Sequence, residues 1–275
     1  MACTTDIAWV ASTVADLRSE PEARAKRVSQ LLLFTQCQVL EERENWWRVQ
    51  GPDGYAGWIK AGQLAEGDLP QPVWKTAVPM LKVHEICSGR LVGRMTLDTR
   101  FSGEAVREGV RFRWPTGEEV LVPRAKVVPA KWSGTSQDLL TIGRRLVGIP
   151  YLWGGTSTFG FDCSGLVQRL FHFVFNFWLP RDSCDQRRVG EAVASLEELQ
   201  PGDLVFFPRH VGIWAGEGTI IHASGTLGMV SMTRLEPPMD AYGKMLRNTM
   251  IQGRRLTKSD FFCYPKADLA SPEAQ

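Results

Sequence analysis

Cys163 combines a nucleophilic side chain with a position at the start of a predicted helix. It directly follows a glycine-rich loop, YLWGGTSTFGFD, and opens the segment CSGLVQRLFHFVFNFW, whose apolar residues recur at helical spacing. The first turn of a helix offers unpaired backbone N–H groups and a partial positive charge, which stabilise a thiolate and an oxyanion. We therefore expect Cys163 to be a nucleophile whose pKa lies below the value of about 8.5 for a free cysteine.

Two of the four histidines lie in one segment, HVGIWAGEGTIIH, which has the pattern of two strands joined by a turn. A turn centred on the AGE residues places His210 directly opposite His222, on the same face of the hairpin. One ring can then act as a base toward Cys163 while the other fixes its tautomer by hydrogen bonding. These three residues form a predicted nucleophile, base and orienting group.

Each of these residues also has an ordinary structural interpretation. A cysteine at a helix start is more often a packing residue, and a histidine in a strand is more often a hydrogen-bonded structural residue. A zinc site would use the same residue types, but no paired ligand motif occurs, so we expect neither a metal nor a cofactor. We interpret His84 and His172 as structural, and Cys37 and Cys184 as small buried residues.

Two kinds of hydrophobic pattern, one typical of strands and one of helices followed by strands, indicate how the chain is organised. Short apolar runs broken by Gly, Pro and Asp predict strands over the first 130 residues, and a weak repeat relates Val49 and Gly54 to Phe112 and Gly117. We expect two small all-β barrels at residues 1–70 and 71–130. From 131 to 275, two helical patterns precede the strands LVFF, HVGIWAG, TIIHAS and VSMTRL, which predicts an α+β domain with an antiparallel sheet.

Composition sets limits on the partners. Hydrophobic residues make up 44% and charged residues 23% of the chain, and the formal net charge is +2, so nucleic acid is not an expected partner. No stretch approaches the roughly 20 apolar residues of a membrane span, so a membrane is not an expected partner either. The first residues lack the basic and apolar regions of a secretory signal, and we expect a reducing, cytoplasmic location and a monomer. The six cysteines are scattered, which is not typical of a disulfide framework: Cys3, Cys37, Cys87, Cys163, Cys184 and Cys263.

Six motifs follow one another over about residues 135 to 260: PYLWGG, GFDCSGLVQ, LPRDS..Q, LQPGDLVFF, HVGIW.G and IHAS. In type and order they resemble the motifs of the bacterial NlpC/P60 cysteine peptidases. The resemblance implies a papain-like α+β fold, with Cys163 as nucleophile, His210 as base and His222 as third polar member. Trp214 stands where the family more often has Tyr, a change we expect to be tolerated.

The whole arrangement is similar to a narrower group, in which two bacterial SH3-like modules precede the peptidase. VADLRSEPEA and WWRVQGPDGYAGWIKAGQL carry the resemblance in the first module, while the second rests on the repeat. Members of that group cleave the γ-D-glutamyl-L-diamino-acid bond of stem peptides that begin with a free L-Ala. The resemblance therefore implies a set of substrate-binding residues from the first module and from the catalytic domain: Glu20, Tyr55, Tyr151, Asp162, Ser164, Asp182 and Ser183.

Three functions from different classes fit these residues. The first is an amide hydrolase that acts on small murein peptides during their recycling in the cytoplasm. The second is an acyltransferase that uses the same thioester but a different acceptor. The third is a wall-binding protein dominated by its SH3-like modules, which the complete set of Cys163, His210 and His222 argues against.

Overall fold

The computed structural model describes residues 7–257 and residue 260. Cys3 and Cys263 lie outside these residues. The described chain divides into two compact units between Trp132 and Ser133. Within the described ranges, none of the helices is long and apolar enough to cross a membrane.

The N-terminal unit is built from short strands and two single 3-10 turns at Ala61–Gln63 and Arg124–Lys126. Its first half contains seven strands: β1 (Ile7–Val10), β2 (Val14–Arg18), β3 (Arg27–Leu32), β4 (Gln36–Arg43), β5 (Trp46–Gln50), β6 (Ala56–Lys60) and β7 (Leu64–Glu66). Its second half contains eight: β8 (Trp74–Thr76), β9 (Met80–His84), β10 (Leu91–Thr96), β11 (Arg100–Phe101), β12 (Glu104–Val106), β13 (Gly109–Arg113), β14 (Glu119–Pro123) and β15 (Val127–Pro129).

The first half forms one antiparallel sheet in the order β3-β2-β6-β5-β4-β1-β7. Alternate residues of its strands point inward, as a half-buried sheet requires. Val10 and Leu17, for example, are completely buried, while the residues beside them are only partly covered. The inward side chains form a hydrophobic cluster with Val49 and Ile59, which is the core of this half.

The second half repeats the strand pairing of the first. β13, β14, the second 3-10 turn and β15 follow β5, β6, the first 3-10 turn and β7 at the offset that relates Val49 to Phe112. β5 pairs with β6 as β13 pairs with β14, and β1 pairs with β7 as β8 pairs with β15. The predicted internal repeat is therefore confirmed at the level of strand order and pairing. That the second half is an SH3-like barrel stays a prediction.

Phe34 joins the two halves of this unit. Its ring contacts Trp9 in the first half and the edges of Phe112 and Trp114 in the second, with centroid distances of 6.0, 6.1 and 6.2 Å. Leu33, the preceding residue, belongs to the hydrophobic cluster of the second half. The two halves therefore share a continuous apolar contact.

The C-terminal unit is an α+β structure. Its helices are α1 (Ser136–Arg145), α2 (Cys163–Phe175), α3 (Ser183–Gln186) and α4 (Ala241–Thr249), and a 3-10 turn spans Leu196–Glu198. Its strands are β16 (Thr156–Ser157), β17 (Gly160–Phe161), β18 (Glu191–Val193), β19 (Leu204–Phe207), β20 (His210–Gly216), β21 (Thr219–Ser224), β22 (Met229–Arg234) and β23 (Gln252–Arg255). Six strands form one antiparallel sheet in the order β18-β23-β19-β20-β21-β22. Helix α2 packs against β20 and β21, and α1 packs against α2 and β21.

Local signals determine where the two long helices begin and end. Thr135 caps α1 through a capping box with Asp138, and Asp162 caps α2 by accepting a hydrogen bond from Gly165 N–H. α2 ends at Phe175 because Asn176 adopts a left-handed conformation with φ of 56°. Both predicted helices are confirmed, and the structure ends the second one three residues before the end of the segment CSGLVQRLFHFVFNFW.

Candidate active site

Cys163 is the first residue of α2, at the point where that helix meets the sheet. Its side chain is buried, with 8% of the residue exposed. Backbone hydrogen bonds from Val211 and from Ser164 favour its thiolate. Val211 follows His210 in β20, so the thiol lies beside the beginning of that strand.

The start of α2 is held by a buried ion pair. The Asp162 carboxylate lies 2.6 Å from the guanidinium of Arg181 and also accepts hydrogen bonds from the backbone N–H groups of Gly154 and Gly165, at 2.9 and 2.7 Å. Arg181 also donates to the Ser164 hydroxyl at 3.0 Å. Asp162 and Ser164, both predicted to bind substrate, therefore make contacts that position the glycine-rich loop and the nucleophile.

His210 and His222 lie side by side on neighbouring strands. Nε2 of His210 is 2.7 Å from Nδ1 of His222, and Nε2 of His222 is 2.9 Å from the Thr233 hydroxyl. His222 is completely buried, and the Tyr242 ring stacks on it with a centroid distance of 6.1 Å. The two histidines therefore form a hydrogen-bonded chain that ends on Thr233.

The predicted hairpin register is wrong by two residues. The structure pairs Ile213 with Ile221, which places Gly212 rather than His210 opposite His222. The hairpin turns at Glu217 and Gly218, both with positive φ, and its register shifts next to Gly216. A shift of two residues keeps side chains on the same face, so the histidines still meet, diagonally. Gly212 permits the approach, since a Cβ there would lie 3.2 Å from Cβ of His222.

The electrostatics of the site differ from the sequence-based expectation. Burial, with a smaller contribution from the charge of Asp162, raises the pKa of Cys163 to about 11, although the backbone hydrogen bonds act in the opposite direction. Burial lowers the pKa of His210 to about 4 and, together with the charge of His210, the pKa of His222 to about 3. The expected low pKa of Cys163 is therefore wrong, because desolvation outweighs the helix terminus. The resting site holds a neutral thiol and two neutral imidazoles.

Tyr151 is partly buried near the nucleophile. Burial, with smaller contributions from the charges of Cys163 and Asp162, raises its pKa to about 12, so the phenol lies within electrostatic range of the thiol. Its ring faces Gly225, where a Cβ would lie 3.6 Å from the ring. Trp153, by contrast, is 52% exposed and is no core residue.

Asp182 and Ser183 lie at the beginning of the one-turn helix α3. Both are partly buried, and Asp182 occupies the N-cap position without a side-chain capping hydrogen bond. The next residue, Cys184, is exposed, so its interpretation as a buried residue is wrong. The reason is the helix itself, which turns Gln186 inward and leaves Cys184 on the opposite side. Cys37 is buried, as expected.

The two predicted substrate-binding residues of the first module lie in the N-terminal unit. Glu20 is exposed and follows β2. Tyr55 is partly buried, packs against the core of the first half, and precedes β6. The structure thus brings Cys163, His210 and His222 together with Tyr151, Asp162 and Ser164, and it places Glu20 and Tyr55 in the other compact unit.

Several residues that stabilise the site were not predicted from the sequence. Gln186 donates hydrogen bonds to the carbonyl oxygens of Ser164 and Pro180 at 3.0 and 2.8 Å. Because Arg181 and Gln186 both lie in the motif LPRDS..Q, that motif could have indicated a role for them. Thr233 and Tyr242 carried no signal, because they reach His222 only after the sheet and α4 have folded.

No metal centre is formed by the part of the chain that the structure describes: no group of three or more His, Cys, Asp or Glu residues there is arranged to hold an ion. The described cysteines, Cys37, Cys87, Cys163 and Cys184, are all free.

Two family models match the chain. Residues 148–249 match the NlpC/P60 family, and residues 17–64 match the bacterial dipeptidyl-peptidase Sh3 domain. The first match contains the buried cysteine and both histidines, and the second contains Glu20 and Tyr55. Fold and site therefore define a papain-like cysteine peptidase of the NlpC/P60 class preceded by an SH3 domain.

Individual relatives agree with this class. The chain is 30% identical to a gamma-D-glutamyl-L-lysine dipeptidyl-peptidase of Bacillus subtilis over 219 residues, which covers 72% of each protein. It is 28% identical to a protein of the same name from Bacillus cereus over 265 residues, covering 84% of this chain and 77% of the relative. A crystal structure of an NlpC/P60 family protein from Bacillus cereus shares the fold, with a TM-score of 0.80 at 23% identity over 90% of this chain and 99% of the other. The chain belongs to the NlpC/P60 family and is a cysteine peptidase.

Proposed function

We propose that this chain is an endopeptidase that cleaves the γ-D-glutamyl-L-diamino-acid bond of cell-wall stem peptides with a free N-terminal L-Ala. The observation that carries the proposal is the hydrogen-bonded pair of His210 and His222 next to a buried cysteine at a helix start. Two relatives named gamma-D-glutamyl-L-lysine dipeptidyl-peptidase, aligned over most of their length, support the bond that is cleaved.

The first half of the reaction forms a thioester. His210 takes the proton of the Cys163 thiol as the sulfur attacks the γ-carbonyl carbon of D-glutamate, which forms the C–S bond. The N–H groups at the start of α2 stabilise the oxyanion. Collapse of this intermediate breaks the C–N bond, and the leaving amine of the diamino acid takes the proton from His210.

The second half releases the other product. A water molecule gives a proton to His210 while its oxygen attacks the thioester carbonyl carbon. The C–S bond then breaks, the Cys163 sulfur recovers the proton, and the peptide leaves with a free γ-carboxylate. Burial keeps the imidazole of His210 neutral, so its free nitrogen can accept the thiol proton as the sulfur attacks.

The free amino end of the substrate requires an anionic partner. We propose Asp182, with Ser183 beside it, as the group in the catalytic domain that binds this ammonium, since Asp182 is a partly buried acidic residue at the start of α3. Tyr151 is proposed to lie against the substrate near the thiol. Glu20 and Tyr55 are proposed contributors from the first module, and their support is the resemblance.

The second half of the N-terminal unit is proposed to be a second SH3-like module. Its support is the repeated strand pairing, in which β8 to β15 follow the scheme of β1 to β7. We also propose a place in murein-peptide recycling in the cytoplasm, supported by the exposed free thiols of Cys87 and Cys184, which persist most readily in a reducing compartment.

Hydrolysis of L-Ala-γ-D-Glu-diamino acid, compared with hydrolysis of its N-acetylated form, tests the proposed specificity. We expect kcat/KM to fall at least about 100-fold on acetylation, because the carboxylates lose their cationic partner. Asp182→Asn and Glu20→Gln should each reduce this difference by weakening turnover of the free peptide. The neighbouring exposed residue Glu22 supplies a matched control, since Glu22→Gln should leave the ratio unchanged.

Equal cleavage of the free and acetylated peptides would contradict the requirement for an ammonium group. Release of free diamino acid distinguishes hydrolysis from acyl transfer, which would yield a peptide joined to an added acceptor amine. Cell fractionation with an antibody against the chain tests the proposed compartment.

A further inference from the structure

The two histidines of the site continue into a third hydrogen-bonding side chain. Thr233 lies on β22, is 5% exposed, and places its hydroxyl 2.9 Å from Nε2 of His222. In the sheet, His222 pairs with Ser231, so Thr233 is two residues further along and shares the same face. The chain of contacts therefore runs from His210 through His222 to Thr233.

Neutral imidazoles allow only two arrangements of protons along this chain. Burial lowers the pKa values of both rings, so each ring carries one N–H at neutral pH. In the first arrangement, Nε2–H of His210 donates to Nδ1 of His222, and Nε2–H of His222 donates to the Thr233 hydroxyl. In the second, both rings carry their protons on Nδ1, and Thr233 donates to His222.

Only the first arrangement leaves His210 able to act as a base. There Nδ1 of His210 has no proton and can receive the one that leaves the Cys163 thiol. In the second arrangement the nitrogen that can accept a proton, Nε2, is occupied by the hydrogen bond with His222. The competent arrangement needs an acceptor for Nε2–H of His222, because a buried N–H without a partner is costly.

We propose that Thr233 is a positioning residue, whose hydroxyl oxygen accepts the His222 Nε2–H bond and so holds both histidines in the tautomers that catalysis requires. This inference rests on the proposed roles of His210 and His222. Thr233 acts through His222 and does not touch the reacting atoms. A β-branched side chain suits this task, since its χ1 angle is restricted and the hydroxyl keeps its direction.

Nitrogen-15 NMR of the wild-type protein tests the tautomers directly. The chain has only four histidines, so the imidazole signals are few and can be assigned by single substitutions. We expect both His210 and His222 to carry their protons on Nε2. A wild-type spectrum with the proton of His222 on Nδ1 would overturn the proposal without reference to any variant.

Thr233→Val keeps the shape of the side chain and removes the hydroxyl. We expect kcat to fall roughly 10- to 100-fold with KM within about twofold, because the population of the competent tautomers decreases while substrate binding is untouched. Thr233→Ser restores the acceptor and should recover kcat to within about threefold. Ser231→Ala is the matched control, because it removes a hydroxyl of the same strand that donates to the Met229 carbonyl, and its kcat should match the wild type.

The NMR spectrum of Thr233→Val separates a positioning role from a merely structural one. We expect the proton of His222 to move toward Nδ1 in this variant and to return to Nε2 in Thr233→Ser. A kcat near the wild-type value in Thr233→Val, or a lower kcat with unchanged tautomers, would contradict the proposal. The tautomers are measured without peptide, so an NMR result that contradicts the role of Thr233 does not affect the proposed peptidase function. An active Cys163→Ala variant would overturn that function itself.

Discussion

The two compact units carry their predicted functional residues in opposite environments. In the C-terminal unit, Cys163 is 8% exposed and His222 is fully buried, each within a network of short contacts. In the N-terminal unit, Glu20 is exposed and Tyr55 is only partly covered. Proton transfer gains from burial because desolvated groups interact more strongly, while a residue that recognises a charged peptide end must first be reachable from water.

From this contrast we expect substitutions in one unit to change the rate of the reaction and substitutions in the other to change its specificity. Substitutions at the buried site should change the chemical step by powers of ten. Under the proposed function, substitution of Glu20 or Tyr55 in the N-terminal unit should alter which peptide is cleaved and leave the chemistry intact.

The largest effect is expected at the nucleophile. Cys163→Ala should lower kcat by about four to six powers of ten, because no other group can form the thioester. Cys87→Ala, in the N-terminal unit, is the control, since that thiol is exposed and free, and it should leave kcat unchanged. Steady-state kinetics on the tripeptide measure both, with circular dichroism to verify folding. Turnover near the wild-type rate in Cys163→Ala would show that Cys163 is not the nucleophile.

The two histidines should differ in severity. His210→Ala should be nearly as damaging as loss of the cysteine, because it removes the base. His222→Ala should lower kcat by about 10- to 1000-fold, because His210 loses its 2.7 Å partner and its fixed orientation but keeps its nitrogen. The ratio of kcat values between the two variants is the measurement. A more severe effect at His222 would mean that the two roles are exchanged.

Alkylation rates compare a thiol of each unit directly, and the effect expected here is on thiol reactivity and not on turnover. Burial holds the pKa of Cys163 at about 11, so its thiolate population grows about tenfold per pH unit up to that value. We expect iodoacetamide to modify exposed Cys87 at neutral pH and to modify Cys163 rapidly only above about pH 9. Mass spectrometry of peptides containing each cysteine, over pH 6 to 11, measures the two rates. Rapid labelling of Cys163 at pH 7 would restore the view that the helix start dominates its ionisation.

Sequence patterns were sufficient for most of the architecture. The helical spacing of apolar residues is a local feature, and α2 begins at Cys163, where the sequence predicts that a helix starts. The repeat between Val49 and Phe112 also survived as a pairing scheme. Strand pairing depends on the alternation of apolar and polar residues and on the positions of turns, and both are local features of the sequence.

The register of the β20–β21 hairpin was not predicted correctly from the sequence pattern. A turn centre placed one residue early moved the partner of His222 from Gly212 to His210. The interpretation still joined the two histidines because alternation preserves the face of a strand even when the register shifts by two. The left-handed conformations of Glu217 and Gly218, which set the true turn, were not apparent from hydrophobic patterning.

By itself, then, the sequence determined which residue types could do chemistry and in which elements they lie, because periodicity and capping act over a few residues. Only the tertiary structure decided the protonation of the site, since burial of Cys163, His210 and His222 arises from packing between distant segments. It also decided the partners of Asp162 and His222. Arg181 and Thr233 reach them across the fold, so the spacing of residues along the chain does not predict either contact.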